Sequence, residues 1–544
     1  MKHLFTFLFI FCFAGAFAQR TVGLVQYDVP NTDGYVLFAP MQSTKTFLID
    51  KCGEKIHEWN SAYKAGLSCY LLEDGSLLRC GNVGNPNFTA GGNGGVIEKY
   101  NWSGTLTWSY ALSDSDHCQH HDVHALPNGN VLAIVWERHA GAEAIANGKN
   151  PATTNAFLWS EKIVELQPVG TNGANVVWEW RLWDHLVQDF DAAKPNYGVV
   201  SEHPELVDIN YVSGPPTSFD WIHMNSIDYN PTLDQILVSS HNLDEFWIID
   251  HSTTTAQATS HQGGNSGKGG DVLYRWGNPQ TYDRGNNTTQ KLFGQHHATW
   301  VPTGYPNAGK ILVFNNGFNR PAGDYSSIEM IDPPINGNNY NIDATAAFGP
   351  TEAFWTYTAS TPTDFYANNI SGVYPLIDGS FMITNGPSGY FFEIDSNANT
   401  VWKYINPVGN NTASQGSTPT QNLLFRANFY PTDYPAFAGQ TLTQLGELEL
   451  NPLLPSICDS LATTIYETVG QNEIAVYPNP VAETLYINAN GLSTYKVEVV
   501  NAVGETVLEA SNKSRLDVSK LGSGLYFVKL TQRDAAYSLK VLKL

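Results

Sequence analysis

The 544-residue chain has few charged residues, and most of them are acidic. Lys, Arg, Asp and Glu make up only 15% of the sequence, and 51 acidic residues against 29 basic ones give a formal net charge of -22. An acidic surface repels phosphate backbones, and no basic patch interrupts this one, so we predict that the chain does not bind nucleic acid. The acidic excess by itself indicates no more than solubility.

Cysteine is also scarce, with six in the chain. Cys12 lies in an N-terminal apolar segment, which leaves an odd number. None forms a CxxC pair, so no zinc or thioredoxin-like site is indicated. Export would permit a disulfide. Cys69 and Cys80 flank a predicted hairpin over residues 71–78 and are positioned to face each other, but the sequence leaves the pairing open.

Long apolar runs are missing, with one exception at the N-terminus. Residues 4–17 are apolar, follow Lys2 and His3, and end at the small-x-small triplet 16–18. This order is typical of a secretion signal, which we place at residues 1–18. The run is too short to span a bilayer with margin, and no other stretch is long and apolar enough, so we predict no transmembrane segment.

Glycine, proline and aromatic residues are plentiful, which suits many short strands joined by tight turns. Asp-Gly and Asn-Gly pairs tolerate the positive φ angles of tight hairpins. A turn followed by an apolar strand recurs at residues 74–78, 128–132, 234–238, 309–313 and 378–382. A second element, an apolar strand followed by a turn and a tryptophan, recurs six times and ends at Trp59, Trp108, Trp178, Trp276, Trp355 and Trp402.

Each repeat contains about four short strands, which is the content of one propeller blade. A single blade cannot bury both faces of its sheet, whereas radial stacking of blades does so. The sequence therefore predicts an all-β fold: a six-bladed β-propeller with a tryptophan packed between neighbouring blades. The first repeat lacks its own first strand, and we expect residues 422–426 to supply it and close the ring.

Three histidines fall at the same position when the first strands of the repeats are aligned by their turns: His121, His223 and His296. Ser371 takes this position in the sixth repeat and Leu67 in the second. The innermost strands of a propeller line its channel, so we expect the three imidazoles to converge. A lone histidine is more often structural, but three in register favour a functional site.

Further polar residues on the following strands extend this candidate site: Glu137, Arg138, His139, His241, Asn315, Asn316 and Arg320. His297 lies beside His296 on the first strand of its repeat. A guanidinium binds two oxygens of a tetrahedral anion, and an imidazole can attack, accept a proton or stabilise charge on oxygen. Three histidines also suit a metal ion, but an arginine among them disfavours a cation. We therefore favour an anionic substrate and predict neither a metal nor another cofactor.

Three long insertions interrupt the repeats at residues 140–157, 182–220 and 253–270. Long loops on a rigid scaffold often carry binding surfaces. The second insertion contains Trp183, His185 and His203, and we expect it to cap the channel. The alternative is a mobile, solvated loop.

The repeats stop near residue 445, so we place the propeller at residues 19–445 and interpret residues 446–470 as a linker. Residues 471–544 alternate in polarity over five to seven predicted strands, which favours a small C-terminal β-sandwich. Its VYPNP opening at 476–480 and GLYFV segment at 524–528 resemble the C-terminal sorting domain of the type IX secretion system of Bacteroidetes. The resemblance implies export through the periplasm to the surface or medium, removal of the tail, and the secretion machinery as a partner.

The propeller motifs resemble the bacterial arylsulfotransferase (aryl-sulfate sulfotransferase) family from residue 35 to residue 404. The most specific are HHDV with LPNGN within 120–130, WIHMNS at 221–226, GGDVLYRWGNP at 269–279, and QHH with FNNGFNRP within 295–321. The resemblance implies transfer of a sulfuryl group from a phenol sulfate to a phenol through a sulfated histidine, without a nucleotide donor. It assigns His223, His296 and Arg320 to holding the sulfate and its bridging oxygen.

The family's nucleophilic histidine corresponds to Ser371 in this chain. Either His121 or His297 takes that role, or this chain has changed or lost the chemistry. The predicted catalytic residues are His121, His223, His296 and Arg320, and the predicted substrate-binding residues are His241, His297, Asn316 and Ser371. The leading hypothesis is thus an exported aryl-sulfate sulfotransferase. The rival, which Ser371 favours, is a non-catalytic propeller that binds an anionic ligand, a glycan or a protein, and a metal-dependent hydrolase is the third.

Overall fold

A computed structural model describes residues 20–211, 219–453, 456–458, 474–489, 494–501, 504–532 and 535–544, without the side chains of 535 and 536. The predicted secretion signal lies outside these residues. The chain divides into two compact units after Cys458. The first part of the predicted linker contacts the first unit, since the amide of Lys55 donates to the Gly446 carbonyl and that of Leu450 to the Ala413 carbonyl.

Six antiparallel sheets in the first unit form a closed ring, which confirms the predicted six-bladed propeller. The innermost strands contact one another in order around the ring, with blade 6 against blade 1. From the channel outwards, blade 1 contains Leu424–Pro431, Gly34–Pro40, Lys45–Asp50 and Lys55–Asn60, and blade 2 contains Ala65–Leu71, Leu77–Asn82, Gly95–Tyr100 and Leu106–Ala111. Blade 3 contains His117–Ala125, Val131–Ala140, Phe157–Val169 and Gly173–Arg181, and blade 4 contains Met224–Asn230, Gln235–Ser240, Glu245–Asp250 and Val272–Trp276. Blade 5 contains His296–Trp300, Ile311–Asn315, Ser327–Ile331 and Trp355–Tyr357, and blade 6 contains Gly372–Pro375, Phe381–Asn385, Tyr390–Ile394 and Thr400–Ile405.

The ring closes through strands taken from both ends of the first unit. Leu424–Pro431 pairs antiparallel with Gly34–Pro40, so the closure predicted at residues 422–426 is confirmed, although the strand itself starts at Leu424. Gly23–Tyr27 pairs with Thr400–Ile405 as a fifth, outermost strand of blade 6. The two ends are therefore held in neighbouring blades.

The predicted turns between the first and second strands have the expected backbone. Positive φ occurs in each of them, at Gly75 (80°), Gly129 (85°), Asp234 (52°), Gly309 (85°) and Gly379 (89°). The strand that follows each turn is buried on both faces because the neighbouring blades pack against it, and every residue of Gln235–Ser240 is buried. The repeated turn thus sets the same hairpin in each of these blades.

The repeated tryptophans lie between neighbouring blades, as predicted. Five of them donate an indole N–H to the connection between the third and fourth strands of the next blade. The bonds are Trp59 to Asn101 O, Trp108 to Gly173 O, Trp178 to Thr253 Oγ1, Trp276 to Pro350 O and Trp402 to Lys51 O, at 2.6–3.1 Å. The sixth, Trp355, stacks on Phe381 of blade 6 at 4.9 Å between ring centroids. The last tryptophan closes the series on blade 1.

Cys69 and Cys80 do not face each other, and both are buried free thiols. Cys69 lies opposite Arg79 in the strand pair. Successive residues of a strand point to opposite faces, so Cys80 points away from Cys69. Cys69 packs towards blade 1 and Cys80 towards blade 3. The disulfide instead joins Cys52, in a turn of blade 1, to Cys458 at the end of the unit.

The described residues of the second unit form seven strands in two antiparallel sheets, which agrees with the predicted small sandwich. Its buried residues form one apolar core from both sheets, including Leu485, Val499, Leu516 and Val528. One sheet contains Ile474–Tyr477, Thr484–Ala489 and Arg515–Asp517, and the other contains Thr506–Ser511, Lys496–Asn501, Gly524–Gln532 and Ala535–Lys543.

The insertions contain most of the short helical elements. These are the helices Gly141–Ala146 and Thr255–Ala258 and the 3₁₀ turns Pro151–Thr153, Leu182–Asp184 and Val200–Glu202. Further 3₁₀ turns are His241–Leu243, Pro279–Tyr282, Pro362–Asp364 and Pro435–Phe437, and two short strand pairs are Leu186–Val187 with Val207–Asp208 and Ile335–Asn336 with Asn339–Tyr340. Residues 212–218 of the predicted cap lie outside the described residues. Within the described ranges, no helix has the length and apolarity needed to cross a bilayer.

Candidate active site in the channel

Four imidazoles from blades 3, 4 and 5 lie in a row at the innermost strands. The ring centroids of His121 and His223 are 4.5 Å apart, those of His223 and His241 5.3 Å, and those of His241 and His296 5.1 Å. The three histidines aligned in the sequence thus do converge, and His241 fills the gap between blades 4 and 5. We call these four residues the histidine arc.

Only two of the three aligned histidines share a backbone position. The backbone at His121 (φ 51°) and His223 (φ 56°) is left-handed, and on blade 5 this conformation belongs to His297 (φ 53°) rather than to His296. His121 and His297 each lie in a bulge opposite a single residue of the next strand. His297 is therefore the backbone equivalent of His121, whereas His296 precedes its bulge. A bulge adds residues to one strand only, so an alignment by turns cannot locate it.

His223 is anchored by a carboxylate that the sequence analysis did not select. Its Nδ1 is hydrogen bonded to Asp220, three residues earlier at the end of the second insertion. A carboxylate on Nδ1 fixes the tautomer and leaves Nε2 with its lone pair. The His223 side chain is 15% exposed and that of Asp220 6%. The Asp-x-x-His spacing just before the strand was a signal that sequence reasoning missed.

Amide oxygens orient the two histidines on the other side of the arc. Asn316 donates its amide N–H groups to the carbonyls of Ala367 and Ile370, so its Oδ1 accepts from Nδ1 of His296, at 2.8 Å. Asn242 donates to the Asp220 carbonyl, so its Oδ1 accepts from Nδ1 of His241, also at 2.8 Å. In both residues Nε2 is left unprotonated.

His121 is held by a buried chain of hydrogen bonds that runs away from the channel. Its Nδ1 is 2.8 Å from Nδ1 of His120, whose Nε2 is 2.7 Å from Glu161 Oε2. The His120 ring stacks on Trp136 at 3.9 Å. If His120 donates to Glu161, it accepts from His121, and Nε2 of His121 is unprotonated too. His120 and Glu161 were not among the predicted site residues, although His120 stands in the motif that suggested the family.

Three of the four imidazoles of the arc are uncharged in the free protein: His121, His241 and His296. Burial, with a smaller contribution from the neighbouring His223, lowers the pKa of His241 to about 4. Burial likewise lowers the pKa of His121 and His296 well below the ordinary value, with smaller effects of neighbouring histidines. Removing an imidazolium from water is costly, so these rings stay uncharged at neutral pH.

Two of the predicted substrate-binding residues serve other contacts. The Nδ1 atom of His297 accepts the backbone N–H of Val373 at 3.1 Å, and its ring packs on Tyr374. Ser371 is fully buried, donates to the carbonyl of Asn369, and accepts the amide N–H of Gly386 at 3.0 Å. Both side chains thus brace blade 6, and no contact observed here joins either to the arc.

Arg320 lies on the loop after the second strand of blade 5. Its guanidinium donates to Ser327 Oγ at 3.0 Å and packs over the ring of Tyr325 at 4.3 Å and that of Phe293 at 5.3 Å. Phe293 directly precedes Gly294, where an added Cβ would lie 3.3 Å from Nε2 of His241. Arg320 thus belongs to the surroundings of the arc, and its role as a sulfate ligand stays a prediction.

A different arginine lies among the innermost strands. Arg426 of the ring-closing strand is buried and pairs with Asp122 of blade 3 at 2.7 Å. It also contacts Tyr70 Oη of blade 2 and donates to the Asn225 carbonyl of blade 4. The Asp122 carboxylate beside it raises the pKa of Arg426 against the effect of burial. Four blades meet at this one side chain, which the sequence analysis did not select because it lies in the ring-closing strand.

The polar residues predicted near the arc on blade 3 make other contacts. Glu137 forms an ion pair with Arg181 at the end of the fourth strand. The His139 ring stacks on Trp183 of the second insertion at 3.7 Å and contacts Ser160 Oγ at 3.0 Å. Arg138 pairs with Asp116 at 3.0 Å. His139 thus holds the second insertion against the blade, and none of these contacts is to the arc.

Two family profiles match the chain. Arylsulfotransferase (ASST) matches residues 38–423, and the secretion system C-terminal sorting domain matches residues 475–543. The first match covers most of the propeller, including every residue of the arc. No curated protein matches the chain.

Several solved structures resemble the chain at low identity. A protein of unknown function from Bacteroides caccae is 12% identical, with 73% of this chain and 98% of that one covered and a TM-score of 0.38. Virginiamycin B lyase from Staphylococcus aureus is 11% identical over 70% and 88%, with a TM-score of 0.32. Apo AztD from Citrobacter koseri is 10% identical over 73% and 99%, with a TM-score of 0.34.

Proposed function

The chain belongs to the arylsulfotransferase family and carries a secretion sorting domain that directs its export, and from this we propose that it transfers a sulfuryl group from a phenol sulfate to a phenol at the His223–Asp220 pair. The single observation that carries the proposal is this oriented pair at the centre of the histidine arc. The Nε2 atom of His223 has its lone pair available. The His223 side chain is 15% exposed, and the rings of His121 and His241 flank it.

Nucleophilic attack by His223 accounts for the first half of the reaction. Nε2 forms a bond to sulfur while the bond from sulfur to the aryl oxygen breaks. The sulfated ring is then positively charged, and Asp220 on Nδ1 stabilises that charge, as a carboxylate does for a histidine that becomes cationic. Neither His297 nor Ser371 offers the same arrangement, because their polar atoms hold the backbone of blade 6.

The neighbouring imidazoles supply the proton to the leaving group and accept the proton of the acceptor phenol. An unprotonated Nε2 cannot donate to a sulfate oxygen, so binding of the anion brings a proton onto His296 or His241, whose low pKa values the negative charge raises. This proton passes to the leaving phenolate, which departs as a phenol. The neutral imidazole then takes the proton of the acceptor phenol as that oxygen attacks sulfur and the bond from nitrogen to sulfur breaks.

The test is transfer from a chromogenic aryl sulfate to a phenol acceptor. We expect the wild-type protein to turn over and His223→Ala to be inactive. Asp220→Asn should lower kcat by roughly 100-fold or more while the protein stays folded, since the ring loses its orienting carboxylate. With donor alone, a peptide containing His223 should gain the mass of one SO₃ group. No transfer by the wild-type protein, or full activity of His223→Ala, would contradict the proposal.

A second candidate function is binding without chemistry. It is favoured by Ser371, which replaces the histidine expected from the family and whose hydroxyl is engaged by the backbone of Gly386 and Asn369. A non-catalytic propeller would hold an aryl sulfate at the arc and release it unchanged. Isothermal titration with the donor, followed by recovery of the intact donor after long incubation, would support this candidate against the transferase.

A further inference from the structure

A second cluster of histidines lies away from the channel, between the outer strands of blades 3 and 4. It consists of His185, which follows the 3₁₀ turn after the last strand of blade 3, His261 of the third insertion, and Asp271, which directly precedes the strand Val272–Trp276. Among the described residues, these three form the one group of metal-ligating side chains whose ligand atoms all lie within 4.8 Å of one another. None of the three was among the predicted site residues: His185 stands in the predicted cap, His261 in the third insertion, and Asp271 in the motif at 269–279.

Two ring nitrogens face the same carboxylate oxygen. Asp271 Oδ1 is 2.9 Å from Nδ1 of His185 and 2.7 Å from Nδ1 of His261. A carboxylate oxygen only accepts, so each nitrogen must bring a proton or share a cation with the oxygen. His185 and Asp271 are 0% and 7% exposed, whereas His261 is 59% exposed, which leaves one side of the cluster open to solvent.

The other nitrogen of His185 is engaged by the backbone. Nε2 is 2.8 Å from the carbonyl oxygen of Ala258 and donates its N–H there. In the tautomer that makes this bond, Nδ1 carries a lone pair and faces Asp271 Oδ1, so the two atoms are placed to share a cation. A backbone carbonyl on the distal N–H is the usual support of a metal-binding histidine.

We propose that His185, His261 and Asp271 bind a divalent transition-metal ion, with Zn²⁺ the best match. Two imidazoles and one carboxylate suit Zn²⁺, while Mg²⁺ and Ca²⁺ prefer oxygen ligands throughout. Bonds of about 2.0–2.1 Å in a tetrahedral site place the ligand atoms about 3.3 Å apart. The His261 ring is exposed and can move by the few tenths of an ångström that separate the present spacing from this one. Water completes the site on the open side.

The ion would have a structural role that is independent of the proposed transferase reaction. It joins the end of blade 3, the third insertion and the start of the outermost strand of blade 4. The same junction already contains the bond from Trp180 Nε1 to the Gly270 carbonyl, at 2.7 Å. Bound metal therefore fixes residues 253–270, which include Lys268, against the propeller.

The test is titration of the untagged, chelator-treated protein with Zn²⁺. We expect one equivalent to bind and Co²⁺ to give the visible absorption of a four-coordinate site. His261→Ala should weaken binding by at least about tenfold, and because this side chain is exposed, the fold should be retained. Zn²⁺ should also slow tryptic cleavage after Lys268 in the wild-type protein and not in the variant.

His117→Ala is the matched control. His117 is a partly exposed histidine beside two carboxylates, Asp114 and Glu137, but Arg181 neutralises Glu137, so we expect the variant to bind Zn²⁺ as the wild type does. Absence of Zn²⁺ binding by the wild type would overturn the proposal, as would unchanged binding by His261→Ala or loss of binding in His117→Ala. None of these outcomes bears on sulfuryl transfer at His223.

Discussion

At the residue scale, the channel site is a row of imidazoles whose Nδ1 atoms are already engaged. Asp220, Asn242 and Asn316 fix the tautomers of His223, His241 and His296, and each of these rings presents Nε2 as a lone pair. The free site therefore offers bases rather than cations. An anionic ligand needs donors there, so its binding and the protonation of the arc are linked.

This linkage predicts that an aryl sulfate binds more tightly as the pH falls. The pKa of His241 is about 4 in the free protein, and we expect it to rise in the complex, so binding takes up protons between these two values. Affinity should increase by up to tenfold per pH unit from pH 7 towards pH 5, for one proton bound. Calorimetry in buffers of different ionisation enthalpy measures the uptake. Zero uptake would mean that the arc holds the ligand without changing its protonation.

Ser371→Ala tests the residue that the sequence predicted to replace the family's nucleophile. The substitution removes the buried oxygen that accepts the N–H of Gly386, so we expect the free energy of unfolding to fall by about 1–3 kcal/mol. Denaturant unfolding followed by tryptophan fluorescence measures it. Unchanged stability together with complete loss of transfer would instead give Ser371 a chemical role.

At the scale of elements, the indole-to-turn bond is the unit that repeats from blade to blade. Trp402→Phe keeps most of the buried area but removes the donor to the Lys51 carbonyl. We expect a loss of about 1–2 kcal/mol in unfolding free energy, since a buried acceptor is left without its partner. Trp355→Phe is the matched control, because Trp355 contacts the next blade by stacking on Phe381, and a smaller loss is expected. Equal losses would assign the effect to packing alone.

The elements that the sequence predicted are those that local chemistry fixes. Positive φ at Gly75 or Gly129 follows from the turn itself, and the tryptophans mark the outer strands, so blade number and order were within reach. The bulges at His121 and His297 were not, because they depend on how each first strand meets its partner. Asp220 was within reach through its three-residue spacing to His223, whereas the pairing of Arg426 with Asp122 exists only in the folded ring.

At the scale of the whole molecule, Arg426 connects blades that are distant in sequence. Arg426→Met leaves Asp122 as a buried carboxylate without its cation, and we expect unfolding free energy to fall by about 3–5 kcal/mol. The double variant Arg426→Met/Asp122→Asn removes both charges and should recover much of the loss. Urea denaturation of the three proteins measures this. A double variant as unstable as the single one would show that charge is not the cause.

The disulfide joins Cys52 to Cys458, which are 406 positions apart in the sequence. The segment between them contains nearly the entire propeller. A protease that cuts one exposed loop between these cysteines would therefore open the chain without releasing a fragment. Fragments would separate on a gel only after reduction. Removal of the sorting domain beyond Cys458 would leave the disulfide-closed loop intact. The mature protein could therefore tolerate a single backbone cleavage outside the cell as long as this disulfide is not reduced.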